Sequence, residues 1–204
     1  MANTVPYEII AAPFTLWVAP VGTAFPAVDD APTDPWVKIG TSGNLNYDSD
    51  TGVVVSHPQS INKFRGLGDS GPRKVFRGEE DLIIRIALAD VTPEQYAQAI
   101  NGNAVTDTPP GSGTAGTRKL GLSRGFTVNT VALLVRGDAS PYGATGVMQY
   151  EVPIAAQVGN PEVVYRKDQA ALLQLEWHAL VDPNAASVDE RFGRLVAQDA
   201  EAFS

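Results

Sequence analysis

The sequence predicts a mainly β fold: a two-sheet β-sandwich or partial barrel flanked by one short α-helix, with long loops and an N-terminal arm. Three observations predict it. Gly 19 and Pro 15 among 204 residues supply many turns, and short runs rich in Val and Thr lie between them. Several segments alternate apolar and polar side chains with period two, the repeat of a half-buried strand. Only one segment carries a full set of helix start and stop signals. The apolar fraction of 44% and charged fraction of 19% provide material for a core and exclude a globally disordered chain. No internal repeat and no linker between two cores is evident, so residues 1–204 are expected to form one domain.

The elements follow in order. Phe14-Thr15-Leu16-Trp17-Val18-Ala19, between Pro13 and Pro20, reads as a strand. Residues 20–35 carry Pro20, Pro26, Pro32 and Pro35 with Asp29, Asp30 and Asp34 between them, an irregular arm. Residues 1–35 are thus an N-terminal strand and Pro-rich arm. Trp36 to Gly40 is a second short strand, followed by a turn at Ser42-Gly43-Asn44. Gly52 to His57 is a third. Residues 58–74, polar and Gly-rich, read as a long loop with Arg65, Arg73 and Lys74. Leu82, Ile84, Ile86 and Leu88 alternate with Asp81, Ile83, Arg85 and Ala87, which predicts one long strand from Val75 to Ala89. Thr92 then offers an N-cap, Pro93 stands at N1, and Gln95 at N3 can close a capping box on the Thr92 amide. Tyr96, Ala97 and Ile100 share a face and Gly102 stops the helix after Asn101.

Residues 104–119 form a second long loop of low complexity. Phe126 to Arg136 is apolar on both faces and reads as a central strand. Met148, Tyr150, Val152 and Ile154 alternate with Gln149, Glu151 and Pro153. Ala171 to Val181 holds the longest alternation. Its Ala, Leu, Gln and Glu are helix formers, but the unbroken period of two decides for a strand. The C-terminal extension, residues 182–204, carries an expected strand around Phe192 to Val196, with a frayed helix from Ser187 as the alternative.

Charge and composition narrow the function. Fifteen basic against 23 acidic residues leave −8, which argues against a protein that coats DNA or binds anionic membranes. No cysteine is present, so disulfides and thiolate chemistry are excluded. His57 and His178 are too few for most zinc sites; no metal or cofactor is expected. The opening Met-Ala-Asn-Thr-Val-Pro-Tyr-Glu has neither a basic nor a long apolar region, so no signal peptide is expected. The apolar run Val131 to Val135 is too short to span a bilayer as a helix.

Catalytic motifs find no support. Gly68-Asp69-Ser70-Gly71-Pro72 looks like a serine-protease nucleophile motif with one glycine missing. A Gly/Pro turn is the better reading, because His57 stands on a strand only a short way upstream. Asp48 and Asp50 suggest a calcium loop, but Gly52 occupies the place of the third ligand, so a hairpin turn is expected. Glu79, Glu80 and Asp81 read as a solvated or lumen-facing patch rather than an acid/base pair. No phosphate-binding or dinucleotide motif follows a strand. His178 faces the polar side of its strand and reads as a solvated histidine. Trp177 faces the apolar side and is a core residue; Trp36 is left open as a sugar-stacking side chain. Long loops and an arm without an active site suggest work by contact with other proteins.

The features from Trp36 to Gly102 resemble the tail tube (major tail) proteins of long-tailed bacteriophages. The likeness lies in Trp36-Val37-Lys38-Ile39-Gly40 before the turn at Gly43, in Val53 to Val55 leading to Gly71-Pro72-Arg73-Lys74, in Glu80-Asp81-Leu82-Ile83-Ile84, and in the capped segment Thr92 to Asn101. Leu175-Glu176-Trp177-His178-Ala179-Leu180 before Val181-Asp182-Pro183 also looks like that family. The resemblance implies a β-sandwich with a flanking helix, forming hexameric rings that stack into a tube in the virion. It implies tape-measure, tail terminator and baseplate proteins as partners, assembly in the host cytoplasm, and transient passage of DNA through the lumen. An acidic lumen would let DNA slide without binding. On this reading Asp81, Arg85, Gln149, Glu151, Gln174 and Glu176 are the lumen-facing candidates. Arg65, Asp69, Arg73 and Lys74 are the ring-stacking candidates, with Asp29, Asp30 and Asp34 as possible acidic partners. The alternatives are another tail component of the same fold, such as a terminator or baseplate hub, and a carbohydrate-binding β-sandwich using Trp36 and residues 104–119.

Overall fold

The computed structural model describes residues 8–143 and 145–200; the opening segment from Met1, on which the signal-peptide reading rests, and the last four residues of the C-terminal extension lie outside them. The strands are β1 (Thr15–Pro20), β2 (Val37–Lys38), β3 (Val53–Ser56), β4 (Gln59–Phe64), β5 (Lys74–Glu80) and β6 (Ile83–Leu88), followed by helix α1 (Pro93–Ala99). Then come β7 (Val105–Thr108), β8 (Thr117–Leu120), β9 (Thr130–Gly137), β10 (Met148–Gln157), β11 (Leu173–Ala179) and β12 (Arg194–Ala197). The chain is mainly β with one α-helix among the described residues, as the alternation and turn content predict.

Eight strands make one antiparallel sheet in the order β2-β1-β9-β10-β11-β6-β3, with β12 beside β10; β4-β5 and β7-β8 are separate hairpins. Strand β10 explains the fork. Its residues Met148 to Glu151 pair with β12, whereas Ala155 to Gln157 pair with β11. Between the two lies a bulge at Val152–Ala155 in the ladder with β9. Pro153 sits in that bulge, where its missing N–H leaves no ladder bond unmade.

One face of the sheet is the main core. Leu16, Val18, Leu133, Val135, Val152, Ile84, Ile86, Leu175 and Trp177 are buried there with Ile39, Ala99 and Ile100. Four inter-strand spacings, about 19 Å along the ladder, separate β1 from β6. Yet Tyr47 pairs its backbone with Leu88 of β6, and its hydroxyl accepts from the Leu16 amide of β1 at 3.0 Å. One side chain bridges the gap, so the sheet curls around its apolar face. The ladder does not close into a barrel among the described residues.

Four expectations need correction. The strand expected from Val75 to Ala89 is two, β5 and β6, in different sheets. The chain turns at Asp81, whose amide donates to Pro58 O at 3.0 Å; a run of alternating residues does not reveal which strand it pairs with. Segment 58–74, expected as a loop, contains β4 and pairs with β5. Segment 104–119 contains β7 and most of β8, paired from Val105–Leu120 to Thr108–Thr117. Polar hairpins of this kind bury almost nothing, so they lack the apolar alternation that marks a core strand. Finally, the central strand expected from Phe126 begins at Thr130, and Phe126 itself lies fully in solvent.

Helix α1 forms where its caps place it, over a shorter span. Thr92 Oγ1 accepts from the Gln95 amide, but the capping box is half made, because Gln95 Oε1 accepts from the Gly40 amide at 2.9 Å instead. Asn101 and Gly102 both take positive φ and the Gly102 amide returns to Ala97 O at 2.7 Å, which ends the helix. The expected strand at Ala171 to Val181 is β11, and the expected C-terminal strand is β12.

Candidate functional site

The face of the sheet opposite the main core carries the polar side chains picked out by the alternation. Pairings Arg85–Glu176, Ala87–Gln174 and Ile83–His178 place Arg85, Gln174, Glu176 and His178 on one side of β6 and β11. Arg85 donates to Glu176, and His178 Nε2 lies 3.0 Å from Glu176 Oε1. The Arg85 hydrogen bond holds the Glu176 carboxyl below its ordinary range, against some desolvation. Arg85 and Gln174 are exposed and Glu176 and His178 half-buried. Arg85 and Glu176 cancel each other's charge, so this patch is not itself acidic.

Three of the candidates lie off this open patch. Gln149 and Glu151 share that face but are only 0% and 3% exposed. The N-terminal arm covers them: Gln149 Nε2 donates to Pro26 O at 3.0 Å and to Glu151 Oε1 at 2.6 Å. Strand β12 closes the other side, where Arg194 Nε donates to Glu151 Oε2 at 2.6 Å. That bond raises the Arg194 pKa. Burying a carboxylate is tolerated only with such partners. Alternation shows which face a residue takes, not whether an arm from elsewhere covers it. Asp81 is exposed at the turn between β5 and β6 and belongs to neither strand.

The same arm settles Trp36. It is 6% exposed, stacked at 5.2 Å on Phe25, with Nε1 donating to Ala24 O at 3.0 Å. It offers no face to a sugar. Arg136 holds the arm from below by donating to the Val28 and Asp30 carbonyls. Trp177 is buried in the main core, as its position on the apolar face predicts. Asp48 closes a tight turn, its Oδ2 accepting from the Thr51 amide at 3.0 Å and hydroxyl at 2.6 Å.

The ring-stacking candidates lie on the β4-β5 hairpin. Every residue from Gln59 to Phe64 and from Lys74 to Glu79 is exposed, and Ile61, Phe64, Leu67, Val75 and Phe76 present apolar side chains to solvent. Asp69 pairs with Arg73 within the connecting turn, Lys74 Nζ lies 5.2 Å from the Phe76 ring centroid, and Arg65 is exposed. At the base, Glu80 accepts from Arg191 of the C-terminal segment and from Arg77 at 2.8 Å. The Arg191 bond holds the Glu80 carboxyl below its ordinary range.

Two further features have little sequence signal. The loop 121–129 between β8 and β9 is held by two asparagines. Asn101 Nδ2 donates to Arg124 O at 3.0 Å and Thr127 O at 2.9 Å, and its Oδ1 accepts from the Asn129 amide. Asn103 Nδ2 donates to Gly121 O and Ser123 O, each at 2.7 Å. The loop so held turns Leu122, Phe126 and Val128 outward, at 71%, 109% and 59% exposure. On another part of the surface, a cleft of about 400 Å³ lies between the arm and the C-terminal segment, walled by Val21, Phe25, Pro153, Ile154, Ala185 and Ala186, with Asp182, Glu190 and Arg194 beside them.

Among the described residues, no group of three His, Asp or Glu side chains gathers as a metal site, and no helix is long and apolar enough to cross a membrane. No family model matches the chain, and a search of curated proteins finds no match.

Proposed function

We propose that this chain is a structural virion protein that polymerises as stacked hexameric rings into the tail tube of a long-tailed bacteriophage. It performs no catalysis. The observation that carries the reading is the β4-β5 hairpin. A lone two-stranded hairpin is marginally stable in water, yet this one stands off the sheet with Ile61, Phe64, Val75 and Phe76 exposed. Such a ribbon gains its partner surface on assembly. Residues 59–80 hold Lys63, Arg65, Arg73, Lys74 and Arg77 against Asp69, Glu79 and Glu80, a net positive segment in a chain of net charge −8, which suits it to the acidic body of a second subunit.

The open sheet supports the same reading. Among the described residues strand β3 pairs only with β6, so one of its edges has no partner there, and closure with neighbouring copies removes such an edge. The patch of Arg85, Gln174 and Glu176 then faces the bore through which DNA passes, and the acidity of the whole tube keeps phosphates from sticking. Tape-measure, terminator and baseplate proteins meet the tube at its core and ends.

Negative-stain microscopy of the purified protein tests this. Long hollow tubes are expected. The double variant Arg73→Glu/Lys74→Glu should stay folded by circular dichroism and form no tubes; tubes of normal length from that variant would remove the hairpin from the assembly.

A further inference from the structure

We infer that the 121–129 loop is a preformed knob that docks in the cleft between the N-terminal arm and the C-terminal segment of a second copy of this chain. Phe126, Leu122 and Val128 are large apolar side chains pushed fully or mostly into water. The loop beneath them is not slack: five hydrogen bonds from Asn101 and Asn103 fix its backbone. Asn101 sits at a φ of 85° where the helix ends, a conformation asparagine takes more readily than other non-glycine residues. A rigid loop that exposes an aromatic side chain loses little entropy on binding and has the form of an interface anchor.

Shape and charge point to the occupant. The cleft, about 400 Å³ with an apolar wall of Phe25, Pro153 and Ile154, has room for a phenylalanine ring. Its flank carries Asp182, which meets no cation among the described residues, whereas Glu190 there pairs with Arg194 at 3.6 Å. The knob is of opposite sign. The charged residue of the loop 121–129 itself is Arg124. Arg124, two residues from Phe126, donates to Gly159 O and meets no carboxylate among the described residues. Phe126 does not fill the cleft of its own chain, because it is wholly exposed. Knob and cleft are different surfaces, so the contact is head-to-tail, the type that closes rings or propagates filaments. The inference deepens the tube reading, from which it takes the second copy as partner.

The absence of cysteine permits a clean test. Thr127→Cys, which keeps Phe126, and Ala186→Cys are made in separate chains, mixed at about 10 micromolar under mild oxidation, and resolved on a non-reducing gel. Docking holds the two thiols at an effective concentration of roughly millimolar, so the mixed disulfide should form on the order of a hundredfold faster than in a control pairing Asp50→Cys with Ala186→Cys. Ser123→Cys in place of Thr127→Cys should also exceed the control. Rates equal to the control for both knob variants overturn the inference, whether or not tubes form. A rapid mixed disulfide from a protein that never forms tubes upholds the docking and overturns the tube reading instead.

Discussion

Two side chains show how single groups hold this sheet. Tyr47 ties its two ends, its hydroxyl accepting from Leu16 N and donating to Ile39 O, each at 3.0 Å. Burial pushes its pKa up to about 12, partly offset by the Leu16 bond. The neutral phenol is therefore the stabilising form, and its contribution is lost as pH rises from about 10 through that value. Tyr47→Phe should lower stability by about 1–3 kcal/mol, since it strands a buried amide and a carbonyl, and should flatten the alkaline limb of a urea-unfolding series. Asp90 acts at the acid end. It is 8% exposed and accepts from Thr41 N at 2.7 Å and Asn46 Nδ2 at 3.0 Å. Burial raises its pKa, but the hydrogen bonds from Thr41, Asn46 and Thr92 together outweigh it and hold the carboxyl below its ordinary value. A depressed carboxylate stabilises the fold above its unfolded pKa of about 3.9 and ceases to as pH falls through the folded one. Asp90→Asn should reduce the slope of stability against pH in that acid window by up to about 1.4 kcal/mol per unit, read from unfolding midpoints between the two values. An unchanged slope would show that Asp90 titrates as it does in the unfolded chain.

The asparagine-held loop gives the sharpest prediction among the elements. Asn101→Ala removes three of the hydrogen bonds that pin residues 121–129 and leaves a β-carbon at positive φ without the amide that compensates it. The Asn129 amide, which donates to Asn101 Oδ1, should exchange faster while β9 and β10 keep their protection; an Asn129 amide still protected would mean that other contacts order the loop. Elements were legible in the sequence where they bury an apolar face. Leu173, Leu175 and Trp177 alternate strictly and form β11, and Thr92-Pro93 places the start of α1. The hairpins β4-β5 and β7-β8 were not legible, because their side chains face water on both sides and Gly, Ser and Thr there read as loop. Partner choice was hidden too. The residues from Lys74 to Leu88 give one continuous strand pattern, yet the chain changes sheets at Asp81. Of the lumen-facing candidates, Arg85, Gln174 and Glu176 share an open face as alternation requires. Gln149 and Glu151 share the face but lie beneath Pro26 and Arg194, residues far away in sequence. The knob loop escaped notice because its order comes from Asn101 and Asn103, whose amides reach backbone carbonyls that no local pattern announces.

At the scale of the whole molecule, the chain spends its apolar residues on one curled sheet and leaves several surfaces unfinished. Among the described residues strand β3 has a bare edge, the β4-β5 hairpin exposes aromatic and aliphatic side chains, and the 121–129 loop turns Phe126 to solvent. A monomer gains nothing from these, whereas the proposed polymer would cover them. Ion pairs between a cationic hairpin and an acidic body weaken as salt shortens the Debye length, from about 10 Å at 0.1 M to about 3 Å at 1 M, while apolar contacts do not. The measurement that tests the account most directly is an electron cryo-microscopy reconstruction of what the purified protein forms at physiological salt. The account predicts a hollow tube with six-fold symmetry, with Arg85, Gln174 and Glu176 lining the bore and the β4-β5 hairpin lying against the next ring. A protein that stays monomeric at every concentration, or a tube with those three side chains on its outer wall, would contradict it.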